Sequence, residues 1–136
     1  MIFLDTSVIY ALADRSDPNH GQALVAFQRL LEDGEDVLVH SYVLVEAAAL
    51  LQRRLGLDSA LRFLQESSGF HVHWVSSRDH EESVGLLAER GKRGLSLVDC
   101  ASFTIMRQYQ VNRALAFDED FEREGFVLYR APGDMT

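Results

Sequence analysis

Five short apolar runs punctuate this chain, at residues 2–5 (IFLD), 37–40 (VLVH), 71–75 (HVHWV), 114–117 (ALAF) and 126–129 (FVLY), and they limit the fold more than any other feature. Runs this short cannot be helices of ordinary length, and their near-continuous apolar character is what strands buried on both faces show. Between them the periodicity is helical. Asp17 reads as an N-cap with Pro18 at a first helical position, followed by Ala23, Leu24, Phe27, Leu30 and Leu31 at helical spacing and a stop at Gly34. Val43, Ala47, Leu50 and Leu51 mark a second helix over 42–55, ended by Gly56. A shorter helix over 58–67 and two more over 79–90 and 97–109 complete the pattern. Strands alternating with helices predict an α/β, three-layer sandwich with a mostly parallel central sheet flanked by helices. Without repeats or linkers, residues 1–136 read as a single domain, and 47% hydrophobic residues allow a core without staples. Sheets of this kind bind ligands just beyond the carboxyl ends of their strands.

Charge and cysteine content narrow the choice of partners. Thirteen Lys and Arg against twenty-one Asp and Glu give a net charge of −8, which disfavours a broad nonspecific grip on nucleic acid. The sign reverses locally wherever several carboxylates converge on a divalent cation. The lone Cys100 excludes an internal disulfide framework and reads as a small buried hydrophobe. No apolar run approaches the roughly 18 residues that span a bilayer. The first run has no basic residue ahead of it and is broken by Asp5, so no secretory signal or membrane contact is expected, and the protein reads as soluble and cytoplasmic.

Four acids interrupt or follow apolar segments. Asp5 ends the first run and precedes Thr6 and Ser7, so its plain alternative role is in a strand-to-helix turn. Glu46 lies three residues after Val43 and four before Leu50, inside the apolar stripe of its helix. An ionised carboxylate there must be ion-paired, with Arg53 or Arg54 as partners in reach, hydrogen-bonded or bound to metal. Asp99 forms an S-x-x-D capping pattern with Ser96 at the head of a helix that is apolar on several sides. Asp118 follows ALAF and can cap a helix in EDFERE, with Asp120 two residues on. Each has an ordinary structural reading, yet all four fall where an alternating fold converges on one rim. Crowded carboxylates repel, and a hard cation with oxygen ligands, Mg²⁺ or Mn²⁺, is the usual remedy. His71 and His73 share a strand face that with a third ligand can hold Zn²⁺, although an exposed strand face is the preferred reading.

With D-T-S after the first strand, the Glu46 helix in SYVLVEAAALLQRR, L-S-L-V-D and the terminal A-F-D-E-D-F, the chain resembles a PIN domain across essentially its whole length. It is similar to small VapC-type toxins of toxin-antitoxin pairs. The resemblance implies that Asp5, Glu46, Asp99 and Asp118 form an acidic cluster for Mg²⁺ or Mn²⁺, with Asp5 and Asp99 the first choices as direct ligands. It makes Ser7 the small hydroxyl after the first acid and Asp120 an additional acid. Ala116 departs from the family, which often has Thr or Ser two residues before the last acid. The implied chemistry is hydrolysis of RNA phosphodiesters by metal-activated water, Glu46 or Asp118 positioning the water or relaying its proton. Phosphate contacts would fall to Arg53, Arg54, Arg90, Lys92 and Arg93, the last three in a Gly-flanked segment that reads as a flexible substrate loop. A cognate antitoxin and a homodimer are the implied partners.

Competing readings are a housekeeping PIN ribonuclease of RNA processing, a noncatalytic PIN-like binding module, and a metal-dependent phosphatase. The phosphatase would want a second Asp two residues after the first, where the sequence has Ser7.

Overall fold

The computed structural model describes residues 1–130, so the last six positions of the expected 1–136 domain lie outside the described residues. The elements run β1 (Ile2–Leu4), α1 (Thr6–Ala13), α2 (His20–Glu32), β2 (Val37–His40), α3 (Ser41–Leu55), α4 (Leu57–Glu66), β3 (His71–His73), α5 (Ser77–Arg90), α6 (Leu97–Gln108), β4 (Arg113–Leu115), α7 (Asp120–Arg123) and β5 (Val127–Leu128). All five expected strands are present, in one sheet of order β3-β2-β1-β4-β5 in which every neighbouring pair is parallel.

The first strand is thus the central one. Phe3 pairs with Leu38 of β2 on one side and Ala114 of β4 on the other, while His40 at the end of β2 sits level with His73 at the end of β3. Ile2, Phe3 and Leu4 are essentially inaccessible, as a strand covered on both faces requires. Alternation along β1 sends Phe3 to one face, where it stacks on His40 and on Phe121 of α7, which in turn meets Phe103 of α6 edge-on. Leu4 points to the opposite face and lines a cavity of about 430 Å³ with Ile9 of α1, Phe27 of α2, Leu51 of α3 and Phe63 of α4. The sheet is therefore the middle of three layers, and Cys100 is buried in the core.

Several helix boundaries differ from the sequence expectation. Asp17 does not cap α2 and Pro18 is not its first residue: Asp17 accepts the Asn19 amide at 2.8 Å in a turn, and the helix starts at His20. Here the Asx turn outcompetes the helix for the same side chain. Gly56 has φ 106 between α3 and α4, a backbone that only glycine adopts without strain, and Gly91 with φ 57 closes α5. Among the described residues no helix is long and apolar enough to cross a membrane.

Candidate active site

A parallel sheet whose first strand is central has a topological switch point, where the chain departs to one side after β1 and returns on the other at β4. Asp5 lies one residue past β1 and Asp118 three past β4, so these two carboxylates flank that crevice. The Asp5 amide donates to the Leu115 carbonyl at 3.1 Å and ties the two strand ends together.

Asp5 occupies the position of an N-cap but caps nothing with its side chain. Its carboxylate is 7% exposed and accepts the Ser7 hydroxyl at 2.7 Å. Burial pushes its pKa up to about 6, against the lowering effect of the Ser7 hydroxyl and with the Asp99 charge adding to the rise. The strand-to-helix turn therefore does not account for this acid. In the same turn, the Thr6 hydroxyl oxygen is buried without a hydrogen-bond partner among the described residues, an arrangement that costs about 1–3 kcal/mol unless something satisfies it.

Asp99 does form the capping box: its carboxylate accepts the Ser96 amide at 3.0 Å while Ser96 accepts the Asp99 amide at 3.0 Å. Capping uses one carboxylate oxygen, Oδ2, and no side-chain partner of the other is found among the described residues. Asp118 does not cap α7, whose N-cap position is Glu119; its Oδ1 instead accepts the Asp120 amide at 2.9 Å. Although Asp118 is exposed, partial desolvation of its carboxyl raises its pKa, the Asp120 amide opposes this, and the Asp120 and Asp99 charges add to the rise. Ala116 is buried and offers no hydroxyl, so the support for Asp118 comes from the residues that follow it.

Asp5, Asp99 and Asp118 thus share one electrostatic neighbourhood, with Asp99 acting on both of the others. Glu46 is placed differently from the expectation. The buried stripe of α3 is Val43, Leu44, Ala47 and Leu51, and Glu46 lies beside it, exposed, so burial does not compel it to find a partner.

Asp120 is held by Lys92 at 2.7 Å and Arg123 at 3.1 Å, and the Lys92 contact leads in drawing its pKa down. Among the described residues no ion pair engages Asp5, Glu46, Asp99 or Asp118. Nor do three His, Cys, Asp or Glu side chains there close into a ready ligand set. Three oxygen-donor side chains with no base among them suit Mg²⁺, which keeps several waters and needs only one or two carboxylates.

Of the expected phosphate contacts, Arg90 is turned to Glu124, with Nε at 2.8 Å, and Lys92 to Asp120, while Arg54 lies over the Tyr10 ring at 5.2 Å. Arg53 and Arg93 are exposed and engage no acid among the described residues. Of the aromatics, Phe63 is buried but Trp74 is 71% exposed just beyond β3.

Two polar centres stand out, one at His40, which the sequence reading did not single out, and one at the His71–His73 pair, expected as an exposed strand face and found exposed at His71 but half-buried at His73. His40 is inaccessible, and its Nε2 lies 2.9 Å from the Ser102 hydroxyl, while its Nδ1 accepts the Val43 amide at the start of α3. Ser102 gives its own proton to the Val98 carbonyl, so His40 donates from Nε2 and is a neutral, single-tautomer cap. Burial, and secondarily His73, pushes its pKa down to about 3. The second centre joins β3 to α5 and α6. His73 bridges Asp79 at 2.7 Å and the Tyr109 hydroxyl at 2.9 Å, His71 reaches the same hydroxyl, and Gln108 donates to Asp79. Both ring nitrogens of His73 are thereby engaged.

The model of the PIN domain family matches residues 2–127, the span that carries the carboxylates of the switch point. The chain belongs to the PIN-domain family. This PIN domain is 36% identical over 133 residues to the 23S rRNA-specific endonuclease VapC20 of Mycobacterium tuberculosis, covering 96% of this chain and 98% of that protein. The crystal structure of that VapC20, described as a sarcin-ricin loop cleaving toxin, superposes with a TM-score of 0.84 at 34% identity, over 96% of this chain and 100% of that one. Ribonuclease VapC26 of the same organism is 24% identical over 120 residues, covering 86% of each protein. The fold alone is shared with VapBC2 from Rickettsia felis, bound to a DNA fragment from its promoter, at a TM-score of 0.68 and 14% identity, over 94% of this chain and 97% of that one.

Proposed function

We propose that this PIN domain is a Mg²⁺- or Mn²⁺-dependent endoribonuclease, the toxin of a toxin-antitoxin pair. The observation that carries the reading is the trio of Asp5, Asp99 and Asp118 around the switch point, in which the Asp99 charge bears on both of the others and which no base neutralises among the described residues. The similarity to VapC20 supplies the substrate class, and ribosomal RNA is the first substrate to try.

Asp5 and Asp99 would hold the cation, with Ser7 fixing the Asp5 carboxylate through its 2.7 Å hydrogen bond. A divalent cation bound there supplies an acidified water and charge neutralisation at the phosphate. The chain's own part is to aim and to move the proton. Asp118, whose carboxyl holds a proton more readily than an ordinary aspartate, is suited to take one from the attacking water. Glu46, exposed on α3, would be the further acid to orient that water. The water oxygen joins phosphorus, the bond to the leaving sugar oxygen breaks, that oxygen takes up a proton from solvent, and no side chain becomes covalently attached. Arg53 and Arg93 would contact flanking phosphates. An antitoxin covering the rim and a second copy of the chain complete the proposed assembly.

The test is cleavage of purified ribosomal RNA with Mg²⁺, with Mn²⁺ and with EDTA, beside Asp5→Asn and Asp99→Asn. We expect cutting only with metal, a loss of at least a hundredfold in both variants, and growth arrest when the wild type is expressed alone. Variants that cut as well as the wild type would overturn the site, and harmless expression of an active enzyme would point to RNA processing instead.

A further inference from the structure

Asp118 sits on a connection between β4 and a helix of four residues, where the backbone has little to stiffen it. Among the described residues its carboxylate is oriented by one hydrogen bond, from the Asp120 amide at 2.9 Å. The position of that amide depends on Asp120, whose own side chain is nearly buried beside another acid and would be expelled without compensation. Two cations prevent this by gripping the same oxygen, Oδ1: Lys92 at 2.7 Å and Arg123 at 3.1 Å.

Lys92 belongs to the connection from α5 to α6, which leaves α5 through the left-handed Gly91 and enters α6 at the Ser96–Asp99 capping box. One residue pair further out, Arg90 forks onto Glu124 at 2.8 and 3.0 Å, and Arg107 of α6 reaches the same carboxylate at 3.0 Å. The connection that leads to Asp99 is therefore held at Asp120 by its own Lys92, and the two helices it joins are held at Glu124, on the segment that follows Asp118.

We propose that Lys92 is a positioning residue for the active site, acting through Asp120 to fix the carboxylate of Asp118, and that Asp120 is the strut of this arrangement and not a ligand of the ion. The connection between α5 and α6 is then a strap that sets the spacing of Asp99 and Asp118, in place of the flexible substrate loop that its glycines suggest. The inference rests on the proposed function only in its metal readout.

Two measurements on the same variants test it. Amide hydrogen exchange on the metal-free protein should show the Asp120 amide losing protection in Lys92→Ala and keeping it in Lys92→Arg; equal protection in all three proteins overturns the strap. Calorimetric titration with Mn²⁺ should show affinity falling about tenfold or more in Lys92→Ala. Asp120→Asn should lose a similar amount, and the double variant should be no weaker than the weaker single one, because both changes break one contact. If Asp120→Asn loses far more than Lys92→Ala, approaching Asp118→Asn, Asp120 is a ligand and the proposal is wrong. If the wild type binds no Mn²⁺, the proposed function fails, and the exchange result alone decides the strap. Lys92 is half-exposed, so its replacement leaves the fold intact.

Discussion

Asp5 and His40 end adjacent parallel strands, and burial acts on them with opposite sign. For Asp5, the folded-state pKa of about 6 lies above the ordinary 3.8, so between those values the folded chain keeps a proton that the unfolded chain has lost. The stability it contributes is present below about pH 4 and is lost as pH rises through 6. Asp5→Asn should therefore abolish cleavage yet stabilise the protein at pH 8 by up to about 3 kcal/mol, with no gain at pH 4, as thermal unfolding at the two pH values would show. A destabilised variant at pH 8 would mean that the carboxylate is satisfied by something other than Ser7. For His40, pushed down to about 3 from 6.5, the unfolded chain takes up a proton first on acidification, so its contribution is lost as pH falls from 6.5 towards 3. Once Asp5 is neutral, nothing at this position offsets that loss, and the acid limb of Asp5→Asn should be steeper than that of the wild type. Asp5 could be singled out from the sequence because an acid ends an apolar run. His40 could not, since its partner Ser102 lies 62 residues away and a histidine ending a strand has no distinguishing neighbour.

Among the elements, α5 shows how a helix start doubles as a joint. Ser76 and Asp79 form a capping box, and the Asp79 carboxylate also takes His73 from the edge strand and Gln108 from α6. Burial pushes the Asp79 pKa up, but the hydrogen bonds from His73, the Ser76 amide and Gln108 outweigh it and hold it well below the usual carboxylate range. Ser76→Ala removes only the cap and should cost about 1 kcal/mol. Asp79→Asn weakens the cap and unpairs His73 together, and should cost about 2–3 kcal/mol in denaturant titration at neutral pH. Similar losses in the two variants would show that the joint to β3 carries no stability. The five strands were legible because parallel strands, covered on both faces, write themselves as apolar runs. Helix starts were less so: Asp17 had a turn to form as well as a helix to cap, and only the tertiary path of the chain decides between them. Glu46 was misplaced because a residue three positions from Val43 is rotated about 60° from it on a helical wheel, enough to leave the buried stripe.

At the scale of the molecule, the net charge of −8 and the few unpaired bases near the rim imply a shallow electrostatic hold on RNA. With Arg90, Lys92 and Arg54 engaged within the chain, only Arg53 and Arg93 among the expected contacts remain to displace counterions. Binding of RNA to Asp5→Asn in Mg²⁺, followed by anisotropy against salt, should therefore give a log–log slope no steeper than about −2. A slope near −5 would reveal a basic surface that the charge distribution does not suggest.

The placement of the first strand at the centre of the sheet has a temporal side. β1 can pair with β2 early in synthesis, but its other edge stays open until β4 has been made, more than a hundred residues later. At roughly 5–20 residues per second that wait lasts several seconds or more. Asp118 arrives only after β4, so until that strand has been made Asp5 stands at an open sheet edge without the acid expected across the crevice from it, and the candidate site is among the last features of the fold to assemble.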